Sequence, residues 1–262
     1  MSRFPVSPNR ELGQHFLVDE NILGVIGRLA ELGPDDVVLE IGPGLGVLTE
    51  YLADRVAHVR AVELDRGLES ALRDRLGART NVELVFGDAV RLDHSDADPP
   101  PTKLVANLPY NVATPIVVES LDGVPTLELW SVMVQREVAD RFFAEPGTKA
   151  YGAVSVLVQL LTERTGFHPV SRNVFRPRPN VESALVAFRR RGEVPPDYPR
   201  TKRVVEGAFA HRRKTLPNSL ELAGIAARDR AVDVLTALGL APDVRAEALT
   251  PTQLVKLARA LA

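Results

Sequence analysis

The sequence predicts a doubly wound α/β domain, followed by a small all-helical domain. Three observations carry this. Five short apolar runs alternate with helical segments. The first run ends in the glycine-rich turn Gly42-Pro43-Gly44-Leu45-Gly46. Beyond a proline-rich break at about 192–199 the pattern is helical only.

In chain order, Val37–Ile41 reads as a buried strand and Val47–Ala53 as the start of a helix. Residues 58–62 form a second strand and 65–76 a second helix. Strands follow at 82–86, 103–106 and 129–134, with helices near 114–121, 136–144 and 152–162. These alternating units predict strands that are mostly parallel. Two more strands, near 167–174 and 183–190, flank a proline-rich loop and read as a terminal antiparallel hairpin, which makes a seven-stranded sheet. The expected domains are 1–191 and 200–262. In the second, Thr250-Pro251-Thr252-Gln253 combines a cap, a proline at the first helical position and a glutamine three after the cap. It opens a closing helix over 253–262.

Composition excludes several classes. The chain has no cysteine, so disulfides and thiolate metal sites are absent. Its five histidines (15, 58, 94, 168 and 211) have no ligand spacing, and no metal is expected. Arg3, Arg10, Glu11, Asp19 and Glu20 break any signal-peptide core. No apolar run reaches membrane-spanning length. A cytoplasmic protein without a membrane partner is expected. The net charge of −2 hides an asymmetry: residues 164–214 hold thirteen Lys or Arg against four acids, a local +9. Such a stretch on an acidic body suits a polyanion such as nucleic acid, although a solvated face reads the same way.

Strand ends carry the candidate chemistry. The glycine turn lets the backbone approach a ligand closely. Val47 stands where a dinucleotide fingerprint needs its third glycine, which disfavours a nicotinamide-dependent dehydrogenase. Glu63, ending the second strand, can accept from two ribose hydroxyls. Asp88, after the third, can accept from the amino group of a nucleoside base. Either acid alone suits a helix cap equally well. The fourth strand runs into Asn107-Leu108-Pro109-Tyr110. These four suit a strand-to-loop turn as well as an amine clamp. In the clamp, the Asn107 side-chain oxygen and the Leu108 carbonyl accept the two N–H bonds of an aromatic amine, and Tyr110 stacks on its ring. A nucleoside cofactor beside an amine clamp fits group transfer to nitrogen, with S-adenosylmethionine as donor.

Five ordered motifs resemble the ribosomal RNA adenine N6,N6-dimethyltransferases of the KsgA (small-subunit) type. They are Gly13-Gln14-His15-Phe16-Leu17, Glu40 to Gly46, Asn107-Leu108-Pro109-Tyr110-Asn111, Val174 to Ser183, and Phe209 to Leu216. The resemblance implies a Rossmann-like class I methyltransferase fold with an N-terminal cofactor-covering segment and a small RNA-recognition domain. It implies S-adenosylmethionine contacts at His15, Leu17, Gly42, Glu63, Asp88 and Asn107. His15 departs from the commoner Asn, and its contact can come from the backbone. The resemblance further implies a catalytic set of Asn107, Leu108, Tyr110 and Phe175, with Tyr110 and Phe175 sandwiching the target adenine. Arg176, Arg178, Arg212, Arg213 and Lys214 are candidate RNA contacts, the last three expected to begin a helical segment. The implied activity is dimethylation of two adjacent adenines near the 3′ end of 16S rRNA by a monomer acting on the pre-30S subunit, with a role in subunit maturation. Two alternatives stand beside it: a large-subunit rRNA dimethyltransferase of the macrolide-resistance type, and an RNA-binding assembly factor with secondary catalysis.

Overall fold

The structure, a computed structural model, describes residues 14–94 and 97–262. Gly13 of the first motif, and Ser95 and Asp96 of the acidic loop at 93–101, lie outside them. The chain divides into two compact units, Met1–Ala139 with Glu163–Arg190, and Asp140–Thr162 with Arg191–Ala262. The second unit thus takes residues 140–162, which sequence reading put in the first domain.

The first unit opens with β1 (Phe16–Leu17) and α1 (Glu20–Leu29), the helix capped by Asp19 accepting from the Asn21 amide. The alternating stretch gives β2 (Val37–Ile41), α2 (Val47–Ala53), β3 (His58–Glu63), α3 (Glu69–Leu76) and β4 (Val82–Phe86). It continues with β5 (Lys103–Asn107), α4 (Ala113–Gly123), β6 (Leu129–Gln135) and α5 (Arg136–Phe142), the last running across the unit boundary. After α6 (Ala153–Leu161) come β7 (Thr162–Val170), β8 (Phe175–Arg176) and β9 (Ser183–Arg190).

Seven strands form one sheet in the order β4-β3-β2-β5-β6-β9-β7, and β1 pairs separately with β8. Strands β2 to β6 are parallel, and β9 runs antiparallel to β6. The central strands β2, β5 and β6 are mostly apolar and mostly buried, as expected of strands covered on both faces. All five residues of β2 are buried, and Val38 and Leu39 are wholly inaccessible. Trp130 of β6 stacks on Phe188 of β9 at 5.4 Å and donates its indole N–H to Ser120 Oγ of α4 at 2.8 Å.

One strand begins elsewhere than expected. β7 starts at Thr162, directly after α6, not at 167. It is an edge strand, so Glu163, Arg164 and Thr165 are solvent-exposed and give no apolar signal. Residues 172–174, expected to complete it, form a 3₁₀ turn capped by Ser171.

In the second unit, α6 joins α7 (Tyr198–Ala210), α8 (Leu216–Leu222), α9 (Arg228–Ala237) and α10 (Pro251–Ala260). α10 carries the expected reciprocal cap, with the Gln253 amide donating to Thr250 Oγ1 at 3.3 Å and Thr250 N–H to Gln253 Oε1 at 2.9 Å. Tyr151 is fully buried, meets Phe209 edge-on and donates to the Leu249 carbonyl at 2.8 Å.

Candidate active site

The carboxyl ends of β4, β3, β2 and β5 stand side by side. They wall a cavity of about 1060 Å³, counting the space open to solvent at its mouth. Loops following adjacent parallel strands meet at such an edge, which is where open α/β sheets bind ligands.

The β2–α2 turn forms its floor. Gly42 and Gly44 have φ of +74° and +61°, a region that costs an L side chain about 1–2 kcal/mol. Space is tight as well. A Cβ on Gly44 would lie 3.0 Å from the Phe16 ring, and one on Gly42 3.3 Å from Pro109. The turn is therefore held between β1 and the turn after β5.

Glu63 is 6% exposed and holds this turn from the side. Its Oε2 accepts from Gly44 N–H at 3.1 Å and its Oε1 from Asp65 N–H at 2.9 Å. Burial raises its pKa above the ordinary carboxylate value, against the opposing effect of these bonds. Each oxygen keeps a second acceptor site, enough for a pair of ribose hydroxyls. Asp88 follows β4, and its Oδ1 accepts from Val90 N–H at 3.0 Å. Behind it His94 contacts the Ala89 carbonyl at 2.9 Å, and burial lowers the histidine's pKa, which keeps the ring neutral.

Two wall residues escaped sequence reading. Leu64 and Val90 are 54% and 40% exposed, large for apolar side chains, and both line the cavity. They add apolar surface to the cavity wall near Asp88. Their signal was their position, each directly after the Glu63 or Asp88-Ala89 strand end.

Asn107 ends β5. Its Nδ2 donates to the His15 carbonyl at 3.2 Å, which leaves Oδ1 as the side chain's acceptor. Leu108 N–H donates to the Met133 carbonyl at 3.0 Å and ties the turn to β6. Tyr110 lines the same cavity and lies 5.4 Å from the His15 ring at a tilt of 31°. The His15 ring is itself tethered, with Nδ1 donating to the Pro177 carbonyl at 2.7 Å. Leu17 is buried in β1 and completes the wall.

Phe175, expected as the second face of the adenine sandwich, is placed in the core. It is fully buried in β8, opposite Leu17, and belongs to the core cluster with Leu23 and Ile26. The β1–β8 pairing turns its ring inward, and it does not line the cavity. The aromatic ring beside Tyr110 is that of His15.

The basic residues separate into two kinds. Arg176 and Arg178 are exposed on the first unit, where Arg176 also reaches the Phe175 carbonyl at 2.9 Å. In the second unit, Arg212, Arg213 and Lys214 lie in the turn between α7 and α8, not in a helix as expected. Arg212 bonds the Lys149 and Tyr151 carbonyls at 3.3 Å each, so its charge braces a loop. Among the described residues no cluster of His, Asp and Glu has the makings of a metal site, and no helix is long and apolar enough to cross a membrane.

An S-adenosylmethionine molecule fits what lines the cavity. The glycine loop, the buried Glu63, Asp88 and apolar walls occur in succession along one sheet edge. Glu40 adds an orphaned acceptor: it is 1% exposed, lines the cavity, and its Oε2 has no hydrogen-bond partner. The Thr49 hydroxyl is near enough to favour the ionised form, yet closes no hydrogen bond. Burial dominates and, with Glu63 adding repulsion, pushes the Glu40 pKa from 4.5 to about 8.

Fold and site together define a class I methyltransferase with an acidic nucleoside pocket. The ribosomal RNA adenine dimethylase family model matches residues 6–262, and the chain belongs to that family. It is 48% identical to "Ribosomal RNA small subunit methyltransferase A" of Rubrobacter xylanophilus, over 96% of this chain and 94% of the relative. A solved dimethyladenosine transferase from Plasmodium falciparum superposes with a TM-score of 0.75 at 23% identity, over 93% of this chain and 96% of that one. The solved "23S rRNA methyltransferase ErmE" superposes with a TM-score of 0.67 at 31% identity, over 94% and 99%.

Glu40 gives a pH prediction. The unfolded chain releases this proton near pH 4.5 and the folded chain near about pH 8. Stability from this group is therefore complete below 4.5 and is lost as pH rises to about 8. Glu40→Gln removes the titration. Its melting temperature is expected to gain on wild type progressively across that window and to hold a constant advantage above it. Thermal unfolding at a series of pH values checks this, and a constant difference at every pH would contradict it.

Proposed function

We propose that this chain uses S-adenosylmethionine to dimethylate N6 of two adjacent adenines near the 3′ end of small-subunit rRNA. The observation that carries the chemistry is Asn107, a cavity-lining residue whose Nδ2 is taken up by the His15 carbonyl, which leaves its Oδ1 as the acceptor. Full-length similarity at 48% to a small-subunit enzyme, against 31% to the large-subunit enzyme ErmE, favours the small subunit.

Glu63 holds the cofactor's ribose hydroxyls and Asp88 its base amino group, while Gly42, His15 and Leu17 pack along it. The bound cofactor supplies a methyl made electrophilic by its sulfonium. The target amine is a weak nucleophile because its lone pair is delocalised into the ring. Asn107 Oδ1 and the Leu108 carbonyl accept its two N–H bonds and favour the pyramidal form, whose lone pair is available. Tyr110 stacks on the base and fixes its approach. After transfer the nitrogen sheds a proton to solvent, so no strong base is required. Removing the adenine from its stack costs a few kcal/mol, which phosphate contacts offset. Arg176, Arg178, Arg213 and Lys214 are the side chains suited to those contacts. The protein acts in the cytoplasm as a monomer on the pre-30S subunit.

Undermethylated small subunits incubated with tritiated S-adenosylmethionine are expected to take up four methyls, mapping to two neighbouring adenines. Labelling of large subunits instead would overturn the assignment. RNA affinity is expected to fall with salt at a log–log slope of roughly −3 to −5. Arg213→Ala and Lys214→Ala should each flatten that slope by about one unit. Arg212→Ala should lower thermal stability of the second unit and leave the slope nearly unchanged.

A further inference from the structure

Tyr110 carries a hydroxyl that stacking does not need, since a phenylalanine ring presents the same face to a base. Here the hydroxyl is engaged: Tyr110 Oη lies 2.6 Å from Ser183 Oγ. Ser183 opens β9, is 1% exposed, and stands opposite Gln135 in the β6–β9 register. β6 in turn places Met133 opposite Asn107 of β5. One three-strand unit therefore carries both the Asn107 amide and the anchor of the Tyr110 ring.

The anchor completes a constraint. The backbone around Tyr110 is fixed by Leu108 N–H to the Met133 carbonyl and by Val112 N–H to the Pro109 carbonyl, at 3.0 and 3.1 Å. A tyrosine ring then has two torsions left: holding Oη in place restrains the first, and the second is restrained because a phenol O–H prefers the plane of its ring, so the hydrogen bond favours a ring plane that contains Ser183 Oγ. Burial raises the phenol's pKa, so the hydroxyl stays protonated at neutral pH and the bond to Ser183 remains a neutral O–H···O pair. Ser183 does not line the cavity; its hydroxyl reaches the site through Tyr110.

We propose that Ser183 is a positioning residue for methyl transfer: by holding Tyr110 Oη it sets the plane on which the target base stacks. This rests on Tyr110 being the stacking face, as proposed above. It also gives a reason for a small hydroxyl residue at the end of the Val174–Ser183 motif.

The test compares wild type with Ser183→Ala, Tyr110→Phe, the double variant and Ser183→Thr, on undermethylated small subunits with S-adenosylmethionine. Losing one buried hydrogen bond is expected to lower kcat about tenfold in Ser183→Ala and in Tyr110→Phe. KM for subunits and cofactor affinity should each stay within about twofold, because only the orientation of the docked base has changed. The double variant should be no slower than the slower single one, because both remove the same bond. Ser183→Thr, which keeps the hydroxyl, should recover most of the rate. Full kcat in Ser183→Ala would overturn the proposal, as would separate losses that multiply in the double variant. A parallel loss of cofactor affinity would show a general structural defect and overturn it too. Should Ser183→Ala fold poorly, Tyr110→Phe removes the same bond without touching β9. Failure of the underlying reading is seen separately: Tyr110→Ala would then keep full activity.

Discussion

The hydrogen bond from Asn107 Nδ2 to the His15 carbonyl is the constraint on which the site depends. An amide side chain is a donor at one end and an acceptor at the other, and a turn of it by half a revolution exchanges them. An amine clamp works only with the oxygen inward. The bond joins residues 92 apart in sequence, and each end is held by its own piece of sheet. Asn107 ends β5, buried between β2 and β6, while His15 precedes β1, paired with β8. Breaking the β1–β8 pair would release the carbonyl that orients the amide, although neither strand touches the reacting nitrogen.

The cofactor side rests on a different balance. Glu40, Glu63 and Asp88 crowd acidic groups into one cavity, two of them buried, and burial raises the pKa of both buried carboxyls. Such an arrangement is costly in the empty protein and complementary to a ligand that is cationic and rich in hydroxyl and amino donors. The backbone amides of Gly44 and Asp65 hold Glu63 in place and leave acceptor sites toward the cavity. Fold stability and ligand recognition therefore draw on the same carboxylates.

Much of this was legible in the sequence for identifiable reasons. Short parallel strands are mostly apolar runs, so β2 to β6 stood out, and Glu63, Asp88 and Asn107 were visible as polar residues where those runs end. The edge strand β7 begins with the three exposed residues Glu163, Arg164 and Thr165, so no apolar run marks its start. The burial of Phe175 was not legible because its neighbours are basic and proline-rich; it pairs opposite Leu17, and pairing is non-local. Residues 140–162 fall in the second unit for the same reason, since continuity of sequence does not reveal where a helix packs. Arg212 looked like its neighbours Arg213 and Lys214, and only its bonds to two carbonyls separate it from them.

The central claim is that the Asn107 oxygen acts on the amine during transfer and does not serve to recruit RNA. Asn107→Ala, assayed with saturating S-adenosylmethionine and undermethylated small subunits, tests it most directly. Subunit affinity should stay within a few-fold of wild type while the single-turnover methyl-transfer rate falls by about a hundredfold or more. An undiminished transfer rate, or a loss explained entirely by weaker subunit binding, would contradict the account.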